Sequence, residues 1–264
     1  MPEKKRLIFL LIFLVFLLFV VNYNIINSFL IRTFESPFPY EFGIVERVID
    51  GDTLVVNGES IRLLGINCPE RGEKYYPEAK FFLESFVLNK TVKIQFGKEK
   101  YDKYKRILAY VFLDGKNMNL QIVKEGFANF YFPSGKDIYY SDFKNAWIEC
   151  LKNQKNICKP STDKCAECIE LKELNYKTQN VLFYNSCPFE CDLTDWKIKD
   201  EGRKNFVFPE FVLKPNNSIS IKVANGTNTK EILFWTDQTY VWTEKGDSLF
   251  LRDKENNLVL WENY

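Results

Sequence analysis

The sequence predicts a mainly β protein with some α-helix, made of an apolar N-terminal segment and two folded regions. Three observations support this prediction. Residues 7–21 are an unbroken apolar run, residues 42–155 mix short strand patterns with helical ones, and residues 165–264 carry short strand patterns separated by turn residues. With 264 residues, the chain is long enough for two folded regions of ordinary size.

The composition excludes several kinds of catalytic site. The chain has a formal net charge of +1 and contains no histidine. Ser-His-Asp and Cys-His catalysis and His-ligated zinc are therefore excluded. Because the net charge is close to zero, binding to a nucleic acid would require a local basic patch.

The N-terminal segment predicts one transmembrane helix. A basic cluster at residues 4–6 precedes the apolar run, which reaches the roughly 20 residues of a membrane span only if residues 22–26 are included. No small-residue cleavage site follows, which favours an uncleaved anchor over a cleaved signal peptide. The basic cluster predicts a single pass through the cell membrane, with the rest of the chain outside the cytoplasm. We expect an anchor over residues 1–31 and a stalk over residues 32–41.

Residues 42–155 show five strand patterns and three helical patterns. The strand patterns are FGIVERVI, TLVV, ESIRLLGI, TVKIQF and RILAYVFL. The helical patterns lie in PEAKFFLESFVLNK, NMNLQIVKEG and DIYYSDFKNAWIECLKNQ. Tight turns such as Asn57-Gly58 favour antiparallel pairing over a parallel α/β sheet. Five strands with small helices predict a barrel of the OB type.

The second folded region is all β. Residues 156–164 are polar and are predicted to be a linker, and residues 165–264 contain eight short strand patterns with Asn, Asp, Gly and Pro between them. These patterns are NVLFYN, DWKIKD, NFVF, SISIKV, EILFWT, YVWT, SLFLRD and NLVLWE. Their spacing predicts a β-sandwich.

Three clusters in the first region carry charged residues of interest: Asp50 to Thr53, the pair Arg62 and Glu70, and residues 101–106. Each cluster alone is typical of a turn or a solvated loop. Together they supply oxygen ligands for a hard cation, two arginines for a phosphate, and a carboxylate that can act as a general base. This combination predicts phosphodiester cleavage.

The order and spacing of five stretches resemble the micrococcal thermonuclease family, calcium-dependent nucleases on an OB-type barrel. The stretches are VIDGDTLVV, IRLLGINCPE, EKYYPEAKFF, DKYKRILAYVF and NLQIVKEGFA, and the resemblance covers residues 42–155. It implies catalytic positions at Arg62, Glu70 and Arg106, substrate phosphate contacts at Lys103 and Tyr104, and calcium positions at Asp52, Asn67 and Cys68, the last through its main-chain carbonyl.

The chain departs from this family at two positions. Asn67 stands where the family usually has aspartate, and Lys105 stands where it usually has glycine. Asparagine keeps an oxygen ligand but removes a negative charge, and calcium affinity falls with ligand charge. We therefore expect weaker binding of one calcium ion.

Six cysteines lie outside the predicted site, at positions 150, 158, 165, 168, 187 and 191. Their number is even, and the expected location is outside the cytoplasm, so disulfides are favoured over a structural zinc ion. The spacing Cys165-x2-Cys168 and Cys187-x3-Cys191 keeps zinc bound by four thiolates as the alternative. The cysteine pairing is open.

The C-terminal region resembles the lamin-tail domain, an immunoglobulin-like β-sandwich. The resemblance is carried by CDLTDWKIKDEG, NFVFPEFVLKPNNSISI, ILFWT, YVWTEKGDSLFLRD and NLVLWENY. Asp195 stands where this family often has glycine. No cluster of catalytic residue types occurs here, so we expect a binding or spacer module whose partner the sequence does not identify.

These observations predict a membrane-anchored, extracytoplasmic, calcium-dependent nuclease that cuts DNA, with RNA left open as a second substrate. The resemblance implies in-line attack of water on phosphorus and 3′-phosphate ends. Two alternatives belong to other classes: a non-catalytic nucleic-acid-binding protein on a degenerate barrel, and a surface-interaction protein that acts through its sandwich.

Overall fold

The computed structural model describes residues 39–264 without a gap and, before them, residues 4–6, 9, 11–14 and 18. Among the residues described, no helix is both long and apolar enough to span a membrane. Most of the predicted anchor and stalk lies outside the described residues, and both stay predictions.

The first folded region contains strands, three α-helices and a short 3-10 helix. In chain order they are β1 (Tyr40–Asp50), β2 (Thr53–Val56), β3 (Glu59–Leu63), β4 (Gly65–Asn67), α1 (Tyr76–Val87), β5 (Thr91–Tyr101), β6 (Ile107–Leu113), β7 (Lys116–Asn117), α2 (Met118–Lys124), β8 (Asn129–Tyr131), α3 (Tyr140–Asn153) and the 3-10 helix Asn156–Cys158.

Five of these strands form a closed barrel, as the sequence predicts. Their order is β3-β2-β1-β5-β6, and a parallel pairing of β3 with β6 joins the two ends. Asn57 and Gly58 have positive φ angles of 50° and 81°, which is the backbone of a tight hairpin turn between β2 and β3. Helix α1 turns Ala79, Leu83 and Val87 into the core, following its apolar periodicity.

The second folded region consists of β-sheets. Its strands are β9 (Ile169–Asn175), β10 (Asn180–Asn185), β11 (Cys191–Asp192), β12 (Lys197–Lys199), β13 (Asn205–Val207), β14 (Val212–Leu213), β15 (Ser218–Lys222), β16 (Ile232–Phe234), β17 (Ser248–Arg252) and β18 (Leu258–Asn263). Two four-stranded sheets have the orders β16-β15-β10-β9 and β13-β12-β17-β18. A separate hydrophobic core, which includes Trp196 and Trp235, lies in this region.

Two local predictions for this region are wrong. The YVWT segment is not a strand, although Val241 and Trp242 are buried. Their backbone N–H groups donate to the side-chain oxygen of Gln179, at 2.6 and 3.1 Å, instead of to a neighbouring strand. Conversely, β9 is a strand that the sequence patterns missed, because its charged residues break the apolar alternation.

The six cysteines outside the predicted site form three disulfides: Cys150–Cys158, Cys165–Cys191 and Cys168–Cys187. Their Cα atoms lie 5.9, 5.7 and 5.3 Å apart, within the usual range for disulfides. The prediction of disulfides is confirmed. The sulfurs of Cys165, Cys187 and Cys191, three of the four cysteines in the zinc alternative, also lie within 4.8 Å of one another.

The two folded regions pack against each other through aromatic side chains and a buried arginine. The ring of Trp147 in α3 meets Phe250 of β17 and Trp261 of β18 edge to face, at centroid distances of 5.4 and 6.1 Å. Arg252 donates from Nη1 to the carbonyl oxygen of Ile157 at 2.8 Å. These contacts fix the second region beside the barrel.

Candidate active site

The turn between β1 and β2 holds Asp52 at the barrel mouth. The backbone N–H of Asp52 donates to Oδ1 of Asp50 at 3.1 Å. A Cβ atom on Gly51 would lie 2.7 Å from Sγ of Cys68 and 2.8 Å from Cβ of Ala79. Glycine therefore lets this turn pack closely against α1 and the chain after β4, which brings Asp52 near the end of β4.

Asp52 and Arg62 form a buried ion pair. Nη2 of Arg62 lies 3.1 Å from Oδ2 of Asp52, and the residues are 7% and 4% exposed. Arg62 also donates to the carbonyl oxygens of Leu63 and Ile66, at 2.6 and 2.9 Å. The backbone N–H of Cys68 donates to Oδ2 of Asp52 at 3.1 Å. These bonds offset the free-energy cost of removing the two charges from water.

Arg106 lies in the turn between β5 and β6, where Asp102 orients it. Its Nε and Nη2 atoms are each 2.7 Å from Oδ2 of Asp102. Burial raises the pKa of Asp102, but hydrogen bonds from Arg106 and from the backbone N–H of Tyr104 outweigh it and hold this pKa below its ordinary value. Lys105 has a φ of 62°, which lies in the left-handed region. This backbone conformation is favourable for glycine, the residue that the thermonuclease family usually has at this position.

A hydroxyl connects the two predicted catalytic arginines. Oγ1 of Thr53 donates to Oδ1 of Asp52 at 3.1 Å and accepts from Nη1 of Arg106 at 3.5 Å. Asp52 is in turn paired with Arg62. The structure thus brings Asp52, Arg62 and Arg106 into one network. The sequence predicts Thr53 only as part of a turn.

The predicted phosphate contacts, Lys103 and Tyr104, are exposed on the same turn as Arg106. The ammonium group of Lys103 lies 5.0 Å from the ring centre of Tyr104, and the guanidinium of Arg106 lies 5.4 Å from it. The Tyr104 ring is therefore accessible at the rim, with two cations beside it.

Glu70 follows β4 and is paired with the second folded region. Its Oε1 lies 2.7 Å from Nε of Arg203, and its backbone N–H donates to Oε2 of Glu73 at 2.7 Å. The Glu70 side chain is 46% exposed, so water reaches the carboxylate. Arg62 and Glu70 are paired with different residues, Asp52 and Arg203, and their predicted roles at one phosphate stay predictions.

The side-chain oxygen of Asn67 is buried and has no hydrogen-bond partner among the described residues. The side-chain nitrogen, Nδ2, donates to the carbonyl oxygen of Gly202 at 2.7 Å. Leaving a buried acceptor such as Oδ1 unsatisfied costs about 1–3 kcal/mol. Carboxylate and amide oxygens are ligands that calcium prefers, so Asp52 and Asn67 fit this ion.

Cys68 cannot act as a thiolate here. Burial raises the pKa of its thiol well above the ordinary value, with the carboxylate of Asp52 adding to the effect. The thiol therefore stays protonated at neutral pH, and any ligation by Cys68 would use its main-chain carbonyl, as the resemblance implies.

A loop of the second region also belongs to this site. Residues 200–204, between β12 and β13, contribute Gly202 to Asn67 and Arg203 to Glu70. Neither residue is predicted from the sequence. The run DEGRK is rich in charge, but nothing in its composition brings Gly202 to Asn67 across a separation of 135 residues.

Two family models match this chain. The model described as "Staphylococcal nuclease homologue" matches residues 60–159, and "Lamin Tail Domain" matches residues 165–264. A thermonuclease of Staphylococcus intermedius is 35% identical over 124 residues, which covers 43% of this chain and 74% of the relative. The chain belongs to the staphylococcal nuclease family. Membership in this family makes it an enzyme of the phosphodiester-hydrolysing class.

The matches to two further relatives cover a similar share of those proteins. A thermonuclease of Staphylococcus hyicus is 34% identical over 125 residues, or 43% of this chain and 73% of the relative. An uncharacterized protein of Methanocaldococcus jannaschii is 36% identical over 165 residues, or 50% of this chain and 76% of the relative. The predicted order, a nuclease-family region followed by a lamin-tail domain, is confirmed.

Proposed function

We propose that the chain is a calcium-dependent nuclease that hydrolyses phosphodiester bonds of DNA, leaves 3′-phosphate ends, and acts at the mouth of the barrel. Two observations carry the proposal: the network of Asp52, Arg62 and Arg106, and the buried Oδ1 of Asn67, which has no hydrogen-bond partner among the described residues. Phosphodiester hydrolysis requires cations around phosphorus and a base for water, and both are present here. RNA is a second candidate substrate.

Arg62 and Arg106 are proposed to bind the oxygens of the attacked phosphate. Their guanidinium groups are held by Asp52 and Asp102, which fixes their direction before substrate arrives. Lys103 and Tyr104, exposed beside Arg106, are proposed to contact the substrate phosphate as well. A fixed guanidinium stabilises the charge that develops at phosphorus without a cost of reorganisation.

Glu70 is proposed as the general base. It is a half-exposed carboxylate at the same mouth, in a chain that offers no histidine. It would take a proton from the water that attacks phosphorus, while the bond to the 5′-oxygen breaks.

Asp52, Asn67 and the carbonyl of Cys68 are proposed to hold calcium. When bound, calcium supplies a positive charge that stabilises phosphate oxygens and lowers the pKa of a bound water. The neutral amide of Asn67 makes the site less negative than one with aspartate, so we expect weaker calcium binding.

We further propose that residues 42–155 and 165–264 are the two domains, the second an immunoglobulin-like sandwich, and that an N-terminal anchor holds both outside the cytoplasm. The three disulfides support an oxidising compartment. Protease treatment of intact cells that express the chain tests this arrangement. Digestion of the enzyme in intact cells is expected, and protection until lysis would contradict it.

Digestion of supercoiled plasmid by the purified chain tests the proposed reaction. We expect nicked and linear DNA with 3′-phosphate ends in calcium, and intact plasmid when a chelator replaces calcium. If the plasmid is bound and retarded but stays intact in calcium, the chain is instead a non-catalytic nucleic-acid-binding protein.

A further inference from the structure

The loop of residues 200–204 is anchored in the barrel mouth through its backbone. The carbonyl oxygen of Gly202 accepts from Asn67, and that of Glu201 accepts from Nδ2 of Asn129 at 2.8 Å. The side chain of Glu201 also accepts from the backbone N–H of Phe132 at 3.2 Å. These three hydrogen bonds therefore hold the loop against the barrel, and none of them uses the side chain of Arg203.

This anchoring presents Arg203 at the edge of the candidate site. The Arg203 side chain is 57% exposed, and its Nε lies 2.7 Å from Oε1 of Glu70. A guanidinium has five N–H donors. Among the described residues, Glu70 is the hydrogen-bonding partner of this group, so its Nη donors are available to a ligand that arrives beside the proposed base.

Arg62 and Arg106 have a different setting. Arg62 is buried and uses its Nη atoms on Asp52 and two carbonyl oxygens, and Arg106 is turned onto Asp102. Arg203, in contrast, faces solvent and contacts Glu70. A phosphodiester that approaches Glu70 from solvent therefore meets Arg203 at the outer edge of the site.

A basic cavity lies next to the same loop. It has a volume of about 310 Å³, is lined by residues of both folded regions, and reaches Asn67. Five basic residues and two acidic residues line it. The basic residues are Lys74, Lys197, Lys199, Arg252 and Lys254, and the acidic ones are Glu73 and Glu255. The chain as a whole is almost neutral, so this local excess of positive charge suits a polyanion.

An inhibitory role for the Arg203–Glu70 pair is the competing interpretation. Both partners are about half exposed, and such an ion pair changes an equilibrium by at most about fivefold. A substrate phosphate can therefore displace Glu70 from Arg203 easily. The exposed pair is poorly suited to blocking the site and well suited to exchanging a carboxylate for a phosphate.

We propose that Arg203 is a substrate-binding residue of the nuclease reaction, supplied to the barrel by the lamin-tail domain. Its Nη groups donate to a non-bridging oxygen of the phosphodiester beside Glu70, and Glu70 is then released toward water. The adjacent basic cavity accommodates charge from the neighbouring part of the strand. This inference rests on the proposed function, because it assigns a further contact to the same site.

Cleavage of a labelled single-stranded DNA by the full chain in calcium tests the proposal. We expect Arg203→Ala to lower kcat/KM by about 10- to 100-fold, because it removes a charge-assisted phosphate contact. Arg203→Lys should have a smaller loss of kcat/KM, since lysine keeps the positive charge but lacks the planar guanidinium that can donate two parallel hydrogen bonds. Lys230→Ala, which removes one exposed positive charge from the same region, is the control and should behave as wild type.

The salt dependence of DNA binding gives a second readout that a purely structural role would not change. Loss of one phosphate contact should reduce the slope of log K against log salt by about 0.7 in Arg203→Ala but not in Lys230→Ala. Equal melting temperatures of wild type and both variants would show that folding is not the cause of any difference.

Two results overturn the inference while leaving the proposed function in place. Faster cleavage by Arg203→Ala would show an inhibitory pair, and unchanged kcat/KM with an unchanged salt slope would show a merely structural one. If the wild-type chain does not cleave DNA in calcium, the proposed function fails first and the assignment of Arg203 fails with it.

Discussion

The side-chain nitrogen of Asn67 donates a hydrogen bond to the carbonyl oxygen of Gly202 at 2.7 Å. This bond joins a proposed calcium ligand in the barrel to a loop of the lamin-tail domain. Aspartate, the usual residue in the resembling family, has no hydrogen to donate when ionised. Nδ2 of Asn67 therefore binds the tail loop, while Oδ1 has no hydrogen-bond partner among the described residues, which is compatible with its proposed role as a calcium ligand.

Asn67→Asp is expected to have opposite effects on calcium binding and on stability. The added charge should lower the calcium concentration at half-maximal cleavage. Without calcium, the carboxylate faces the Gly202 carbonyl with no donor, and the variant should lose about 1–3 kcal/mol of stability. Calcium titrations of cleavage and thermal melts in chelator measure both effects. An unchanged calcium midpoint would remove Asn67 from the ligand set.

Three buried carboxylates lie where the tail loop meets the barrel. Burial raises the pKa of Glu201 from 4.5 to about 8, with Asp247 adding to the effect. Burial also raises the pKa of Asp247 from 3.8 to about 7 and that of Asp200 from 3.8 to about 6. Each carboxyl group keeps its proton to a higher pH in the folded protein than in the unfolded chain. Their contribution to stability is therefore complete below about pH 4 and is lost as the pH rises through 6 to 8.

Glu201→Gln should make stability less dependent on pH. The amide keeps the Oε1 acceptor for Phe132 and cannot ionise, so the variant should match wild type near pH 4 and melt at a higher temperature near pH 8. The wild-type slope contributed by one such group is at most about 1.4 kcal/mol per pH unit. Thermal melts across this range measure the difference. Glu210→Gln, at an exposed position, is the control, and parallel curves for Glu201→Gln and wild type would contradict the assignment.

The three disulfides predict the thiol content of the oxidised chain. Thiol titration under denaturing conditions should find Cys68 alone reactive, because the other six cysteines are paired. Removing the pair Cys165–Cys191 by serine substitution should destabilise the lamin-tail domain by about 2–4 kcal/mol. If five thiols react and stoichiometric zinc is released, Cys165, Cys168, Cys187 and Cys191 bind metal instead, and Cys68 is the fifth thiol.

The barrel could be predicted from the sequence because its signals are local. The Asn57-Gly58 turn and the helical spacing of Ala79, Leu83 and Val87 each fix a neighbouring element. YVWT failed as a strand because a distant side chain, Gln179, satisfies its backbone N–H groups. Whether a β-rich segment pairs with a strand or with a side chain depends on tertiary contacts, which no local pattern reports.

The candidate site could be predicted only in part. The resemblance supplied Asp52, Arg62 and Arg106, and the structure brings them together through Thr53. It could not supply Arg203, because the contact with Glu70 depends on how two independently patterned regions pack. The packing itself depends on Trp147 and Arg252, and the sequence does not reveal which residues these two side chains contact.

The two proposed phosphate-binding arginines should differ in their effect on folding. Arg106 is partly exposed, so Arg106→Ala should change stability by about 1 kcal/mol and slow cleavage by about 100- to 1000-fold. Arg62→Ala leaves Asp52 buried and unpaired and should cost about 3–5 kcal/mol of stability as well as activity. Melting temperatures and single-turnover rates on the same samples separate the two effects. Wild-type cleavage by Arg106→Ala would exclude Arg106 from the proposed machinery.

Single-turnover cleavage of DNA by Glu70→Ala in saturating calcium tests the central claim most directly. Glu70 is half exposed, so the variant should fold as wild type does, with its cleavage rate lowered by about 100-fold or more because the proposed base is missing. Glu59→Ala, at the exposed start of β3 in the same barrel, should cleave at the wild-type rate, which would show that loss of one surface carboxylate does not by itself slow cleavage. A Glu70→Ala variant that cleaves DNA as fast as wild type would contradict the account.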